Sequence, residues 1–291
     1  MRRQLLFLAL LARPLAAQTS DWARVTVGLS IGLRAGSSLW DVPSQPVLSS
    51  NLTSTIPPAY YPPDVYHLHR DVLGGVTLSA QGTFYSSPRF GVTFELTYLG
   101  LELSDACTVV HDGGDPELAT ACAYVGSSQK FGQGIDPQLG YHDASGVDHS
   151  VSATLIQGGI VLRPFEPKTL QPFFKAMAGF ATTPHSTVSM ESIYGVDPAA
   201  TYNSLALTIY QDYAPPAVRP VFTAAAGLTT SPNSGLQTHF EARETFLPQS
   251  VVTGPTASQN LVPPNHSVLK GFFSVLVGLE VVLSRDRGKR Y

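Results

Sequence analysis

From Ala23 to Arg34 the chain reads Ala-Arg-Val-Thr-Val-Gly-Leu-Ser-Ile-Gly-Leu-Arg. Val25, Val27, Leu29, Ile31 and Leu33 alternate with Arg24, Thr26, Gly28, Ser30, Gly32 and Arg34. A period of two sends successive side chains to opposite faces of a strand, so one face here is wholly aliphatic and the other polar or bare. Such a segment needs an apolar medium on one side and a polar one on the other. About ten residues is also the length at which a tilted strand crosses a bilayer.

The same pattern recurs and predicts eight strands. The second lies near Asp71 to Phe84, with Val72, Val76, Leu78 and Ala80 against Thr77, Ser79 and Gln81. In the third, Phe90, Val92, Phe94, Leu96 and Tyr98 alternate with Gly91, Thr93, Glu95 and Thr97. The fourth, near Ser150 to Arg163, is ambiguous in phase; setting Ile156, Ile160 and Leu162 outward turns Gln157 and Arg163 inward. The fifth opposes Phe174, Ala176, Ala178 and Phe180 to Phe173, Lys175 and Met177. In the sixth, about Val218 to Thr230, Phe222, Ala224, Ala226 and Leu228 face away from Arg219, Thr223 and Gly227. The seventh sets Leu236, Thr238, Phe240 and Ala242 against Gln237, His239, Glu241 and Arg243. The eighth sets Phe273, Val275, Val277, Leu279, Val281 and Leu283 against Ser274, Gly278 and Glu280.

Tight turns at 85–89, 164–168 and 231–235 alternate with long segments at Ser37–Arg70, Ser104–His149, Thr183–Ala217 and Pro248–Ser267, all rich in Pro, Gly, Ser, Asp and Tyr. Loops of that length argue against a compact soluble domain. Short turns on one side and long loops on the other are the plan of an outer-membrane barrel, with both termini in the periplasm. The predicted fold is therefore all-β, an antiparallel up-and-down transmembrane β-barrel of eight strands. Weak alternation at Ser186–Tyr194 and Tyr202–Tyr210 reads as an extension of one hairpin above the membrane; counting both as barrel strands would make ten.

The amino terminus fits export. Met1-Arg2-Arg3, an apolar run from Leu5 to Leu11 and Pro14-Leu15-Ala16-Ala17 form a signal peptide over residues 1–17, leaving a barrel at 18–284 and a basic periplasmic tail at 285–291. No window offers the roughly 18 apolar residues of a transmembrane helix. Charged residues make up 13% of the chain and the net charge is -3, so no basic field points to nucleic acid.

A secreted β-sandwich is the rival fold, and the polar faces decide against it. They carry Arg24, Arg34, Glu95, Arg163, Lys175, Arg219, Glu241, Arg243 and Glu280, but are otherwise Gly, Ser and Thr, with little of the Lys and Glu that coats soluble sheets. In a membrane barrel this face lines the lumen. Eight strands leave an interior just wide enough for side chains, so these charges are expected to interlock as a polar plug. A narrow conducting path, tuned to anions by the excess of Arg and Lys, is the alternative.

The last strand, Leu276-Val277-Gly278-Leu279-Glu280-Val281-Val282-Leu283, has a Gly followed by alternating apolar residues. With the turns, loop lengths and signal peptide, it resembles the OmpA/OmpX-type family of small outer-membrane β-barrels. The resemblance implies that Gly278, Val281 and Leu283 form the signal read by the barrel-assembly machinery. It also implies periplasmic chaperones on the export route, contact with outer-membrane lipid and lipopolysaccharide, and a monomer.

Cys107 and Cys122 share one polar stretch of an exported chain and read as a disulfide, stabilising by roughly 3 kcal/mol in the chain-entropy model. Two cysteines alone do not complete a zinc site. His67, His69, His111, His142, His149, His185 and His266 fall in predicted loops. His67 and His69 with Asp71 suggest a surface metal site, but solvated loop histidines are the simpler reading. No metal or cofactor is expected. A rim enzyme would need a nucleophile, a base and an orienting acid. His266 and Ser267 are adjacent and point apart on a strand, while His239 and Glu241 share the inner face as hydrogen-bonding groups. No catalytic residue is assigned. Tyr60, Tyr61 and Tyr66 in Ala59–Tyr66 are the candidate contact residues, because Tyr offers a large rigid surface. The expected role is structural or surface-interacting and non-enzymatic.

Overall fold

Alternating sequences that leave one face apolar and one polar have no stable edge until the sheet closes on itself. The computed structural model describes residues 24–48, 52–53, 62–125, 150–165, 170–183, 187–195, 204–212, 217–230, 235–257 and 260–283. Residues 1–17 and 285–291, expected as a signal peptide and a basic periplasmic tail, and Tyr60, Tyr61, His142, His149 and His185 lie outside them. The described residues form strands β1 (Arg24–Arg34), β2 (Ser37–Val47), β3 (Leu52–Thr53), β4 (Asp64–Val72), β5 (Gly75–Tyr85) and β6 (Phe90–His111). Helix α1 (Pro116–Tyr124) comes next. Strands β7 (Ser150–Leu162), β8 (Leu170–Thr183), β9 (Met190–Gly195), β10 (Ser204–Tyr210), β11 (Ala217–Thr230), β12 (Leu236–Val252) and β13 (Asn265–Leu283) follow.

Eight of these close into a ring in the order β1, β5, β6, β7, β8, β11, β12, β13, every pair antiparallel. The first and last strands seal it, from Val25 opposite Leu283 to Arg34 opposite Ser274. Ring neighbours are successive barrel strands, so the topology is up-and-down. The ten-strand alternative does not hold: β10 pairs with β9 on one side and β3 on the other in a separate small sheet, and among the described residues neither β9 nor β10 has a ladder to β8 or β11. The expected extension of the β8–β11 hairpin is corrected with it.

The outer face is apolar throughout the ring. Leu29, Leu33, Phe94, Phe180 and Leu279 are all more than half exposed, whereas Thr93, Glu95 and Thr97 beside Phe94 are buried inside. Strand β7 turns Ile156, Ile160 and Leu162 outward and buries Gln157. On β6 the outward series Phe90, Val92, Phe94, Leu96, Tyr98, Gly100 ends at the exposed Glu102. Ten steps make about 34 Å of strand, or about 26 Å along the barrel axis at the usual tilt, the height of a hydrocarbon band.

The barrel continues past that band, and here the expected long loops are corrected. β6 runs on to His111 and pairs with β4, which pairs with β2, making a three-stranded wall at the loop end. The second barrel strand starts at Gly75; Asp71 and Val72 end β4, and Val72 packs inward because it continues the buried series Tyr66, Leu68, Arg70. β12 extends to Val252 and β13 begins at Asn265, so much of the expected fourth loop is a strand pair. These segments fold because their interior changes character. Leu99, Leu101, Leu103, Ala153, Leu155, Ala181, Val221, Leu247 and Phe272 bury apolar side chains inside the upper barrel, against Trp40, Leu68, Val188, Met190 and α1 residues Leu118, Ala121 and Cys122. Cys107 on β6 is bonded to Cys122 on α1, fastening the helix to the wall.

Candidate functional site

The lumen has two storeys, polar below and apolar above. In the lower one Lys175 of β8 reaches across the barrel axis: its Nζ donates to Glu241 Oε2 and Gln81 Oε1, each at 2.7 Å, and to Glu95 Oε2 at 3.2 Å. Arg243 Nη1 donates to Glu95 Oε1, and its Nη2 lies 2.7 Å from Glu241 Oε1. Thr97 Oγ1 donates to Glu95 Oε1 at 2.7 Å. All four charged side chains are almost fully buried, and two carboxylates balance two cations. Strand alternation supplies this arrangement, because Glu241 and Arg243 are one inward step apart on β12, Glu95 faces them from β6 across the ring, and Lys175 enters from β8 between the two.

A second group lies one level toward the turn end. Gln81 Nε2 donates to Glu280 Oε1, His239 Nδ1 is 3.5 Å from the same oxygen, and His239 Nε2 is 2.9 Å from Ser30 Oγ. Gly278 makes room for this imidazole. A Cβ there would stand 2.2 Å from His239 Cε1 and 2.5 Å from Ser30 Oγ, so packing alone demands glycine at a position that the family resemblance assigns to assembly. Hydroxyl, imidazole and carboxylate follow the order of a nucleophile relay. All three are buried, however, and the neighbouring cavity, lined by Gln81, Tyr85, Phe173, Lys175 and Glu280 among others, holds about 10 Å³, barely one water.

The closed antiparallel ring, with an apolar band outside and paired charges within, decides the architecture. It is the fold of a small outer-membrane β-barrel. No family model and no curated protein matches the sequence. Among solved structures, the chain is similar to Neisserial surface protein A at 6% identity, covering 90% of this chain and 97% of that one, with a TM-score of 0.38. It is similar to the outer membrane protein AlkL at 10% identity, covering 94% and 96%, with a TM-score of 0.39. The outer membrane protease OmpT from Escherichia coli gives 7%, 89% and 97%, with a TM-score of 0.37. Likenesses this distant assign the chain no role.

The small barrel does not gather all nine expected luminal charges. Arg34, at the boundary between the storeys, donates to the carbonyl oxygens of Gly100 at 3.1 Å, Ala35 at 2.8 Å and Leu73. Arg163 stacks over the Tyr85 ring at 3.9 Å near the turn end. Arg24 is exposed at the start of β1. Arg219 sits at the loop end, where the β11–β12 ladder stops at Phe222 opposite Phe246 and Pro220 and Pro248 interrupt the facing edges. Its Nη1 donates to Pro248 O at 2.8 Å and its Nη2 to Ser250 Oγ at 3.1 Å, so a side chain spans the gap left by the ladder.

The mouth has a buried ion pair of its own that the sequence reading missed. Arg70 Nε and Nη2 donate to Asp105 Oδ1 and Oδ2 at 2.5 and 2.6 Å, both side chains 1% exposed. Arg70 Nη1 and Trp40 Nε1 both donate to Thr187 O, at 2.9 and 3.1 Å, and Thr187 Oγ1 donates to Ser250 O at 2.9 Å. The segment after β8 is thereby tied across the opening. One signal was available: Arg70 shares its alternation with Tyr66, Leu68 and Val72, and a charge on an apolar face needs a buried partner.

Tyr66 is corrected as a contact residue. It is fully buried and its hydroxyl donates to Leu118 O at 2.6 Å, because its phase on β4 points inward. Four expected loop histidines also lie in strands: His67 and His69 are on the outward face of β4, His111 ends β6 and His266 is in β13. His266 and Ser267 lie near the start of β13, paired with Val251 and Ser250.

Proposed function

We propose that this protein is a closed outer-membrane barrel whose role is structural or surface-interacting, with the loop end outside the cell and the turn end and both termini in the periplasm. The observation that carries this reading is the pair of obstructions in series, the neutral cluster of Glu95, Lys175, Glu241 and Arg243 below and the packed apolar mouth above. A conducting lumen needs a continuous wet path, and among the described residues both levels are filled with buried side chains. Catalysis needs space for a substrate beside the nucleophile, and Ser30 and His239 are both buried side chains. The folded mouth then becomes the working surface, held rigid by its ion pair and disulfide. Tyr60 and Tyr61 are the proposed contact residues, lipopolysaccharide and a facing surface the proposed partners, and periplasmic chaperones with the assembly machinery the route of delivery of a monomer.

Planar-bilayer recording from the refolded full chain tests the reading. The expected result is no steady conductance step in wild type. Stable, anion-selective steps would overturn the closed lumen and favour the channel alternative.

A further inference from the structure

On the outward face of the mouth wall, four ionisable side chains converge. β4 presents His67, His69 and Asp71 at alternate positions, half-exposed, while Tyr66, Leu68 and Arg70 between them face the core. Asp41 of β2 stands directly opposite His69. Asp41 Oδ1 is 2.5 Å from His67 Nε2 and 3.7 Å from His69 Nδ1, and His69 Nε2 is 2.9 Å from Asp71 Oδ1. On the other flank the register sets Ala106 opposite His69 and Ser104 opposite Asp71, and these small side chains leave the face open.

We propose that Asp41, His67 and His69 form a surface site for a borderline transition-metal cation such as Zn²⁺, with Asp71 positioning His69. Two imidazoles and one carboxylate are a donor set that suits zinc, and three protein ligands leave a coordination position for water or for a donor from another molecule. Asp71 accepts the proton of His69 Nε2, which leaves the Nδ1 lone pair directed toward Asp41; metal-bound histidines are oriented in this way by an outer carboxylate. As they stand, no three His, Cys, Asp or Glu side chains among the described residues are arranged to hold a metal ion. Asp41 and His67 touch at 2.5 Å as a hydrogen-bonded pair, whereas two ligands on a tetrahedral zinc stand about 3.3 Å apart, given bonds of about 2.0 Å. Spreading them by about 1 Å is within reach of side chains that are 36–54% exposed, and a metal replaces the proton between them. Bound metal would tie β2 to β4 beside the break in their ladder between Val42 and Gln45.

Calorimetric titration of Zn²⁺ into the refolded full chain at neutral pH tests this, alongside His67→Gln/His69→Gln, Asp41→Asn and Asp71→Asn. Wild type is expected to bind one equivalent at this site, the double variant to lose it, Asp41→Asn to weaken it at least tenfold, and Asp71→Asn to weaken it about 10- to 100-fold. Asp41→Asn keeps the size of the side chain, so it serves if the double variant fails to refold. No binding by wild type, or unchanged binding in the double variant or in Asp41→Asn, would overturn the proposal.

Discussion

Lys175→Met is expected to destabilise the folded barrel by about 3–5 kcal/mol, measured as urea unfolding in detergent micelles. Methionine fills most of the lysine's volume, so the loss is electrostatic rather than a cavity. Nζ makes the contacts to Glu241, Glu95 and Gln81, and without it two buried carboxylates share Arg243 alone. The magnitude separates two pictures of the lumen. A solvated ion pair contributes about 0–1 kcal/mol, so a loss below about 1 kcal/mol would mean that water already screens these charges. Adding Glu241→Gln to Lys175→Met restores neutrality and is expected to recover much of the loss, since the penalty lies in the uncompensated charge.

Arg70→Met is expected to cost a similar 3–5 kcal/mol, but in the mouth alone. It strands Asp105 in the apolar core and removes one of the two donors to Thr187 O. Asp105 lies on the part of β6 beyond its last pairing with β7, Glu102 opposite Ser150. Hydrogen exchange should therefore rise in β2, β4 and α1 while β1, β5 and β13 stay protected. Uniform loss of protection would show that barrel and mouth unfold as one unit. Unchanged exchange would show that the pair contributes nothing net.

The ring was legible in the sequence because a barrel strand is a local signal. On β1, for instance, five aliphatic residues from Val25 to Leu33 alternate with Arg, Thr, Gly and Ser and the buried face follows that phase, whereas β7 is ambiguous taken alone and only Gln157 marks its inner face. The upper storey was also written locally, in a subtler form. On β6 the apolar residues occupy even positions through Tyr98 and odd positions from Leu99, with Glu102 facing out. That inversion marks the exit from lipid, where the outside becomes wet and the inside dry. The residues that follow, from Ser104-Asp105 onward, have the polarity of a loop, which hides the continuation of the strand.

The pairings within each storey were not legible. Lys175 meets Glu95 from 80 residues away, and Arg70 meets Thr187 from 117. Alternation says which side chains enter the lumen but not their height, which the stagger of the ladders sets. For that reason Arg24, Arg34, Arg163 and Arg219 share the inner phase with the cluster yet stand at other levels of the barrel.

Heat-modifiability tests the central claim of a closed membrane barrel most directly: the chain, refolded in detergent, is run boiled and unboiled on a denaturing gel. The account predicts a faster-migrating unboiled band and dependence on detergent for solubility. Identical migration by a protein that stays soluble without detergent would contradict it, and would turn the outward aliphatic faces into the core of a sandwich.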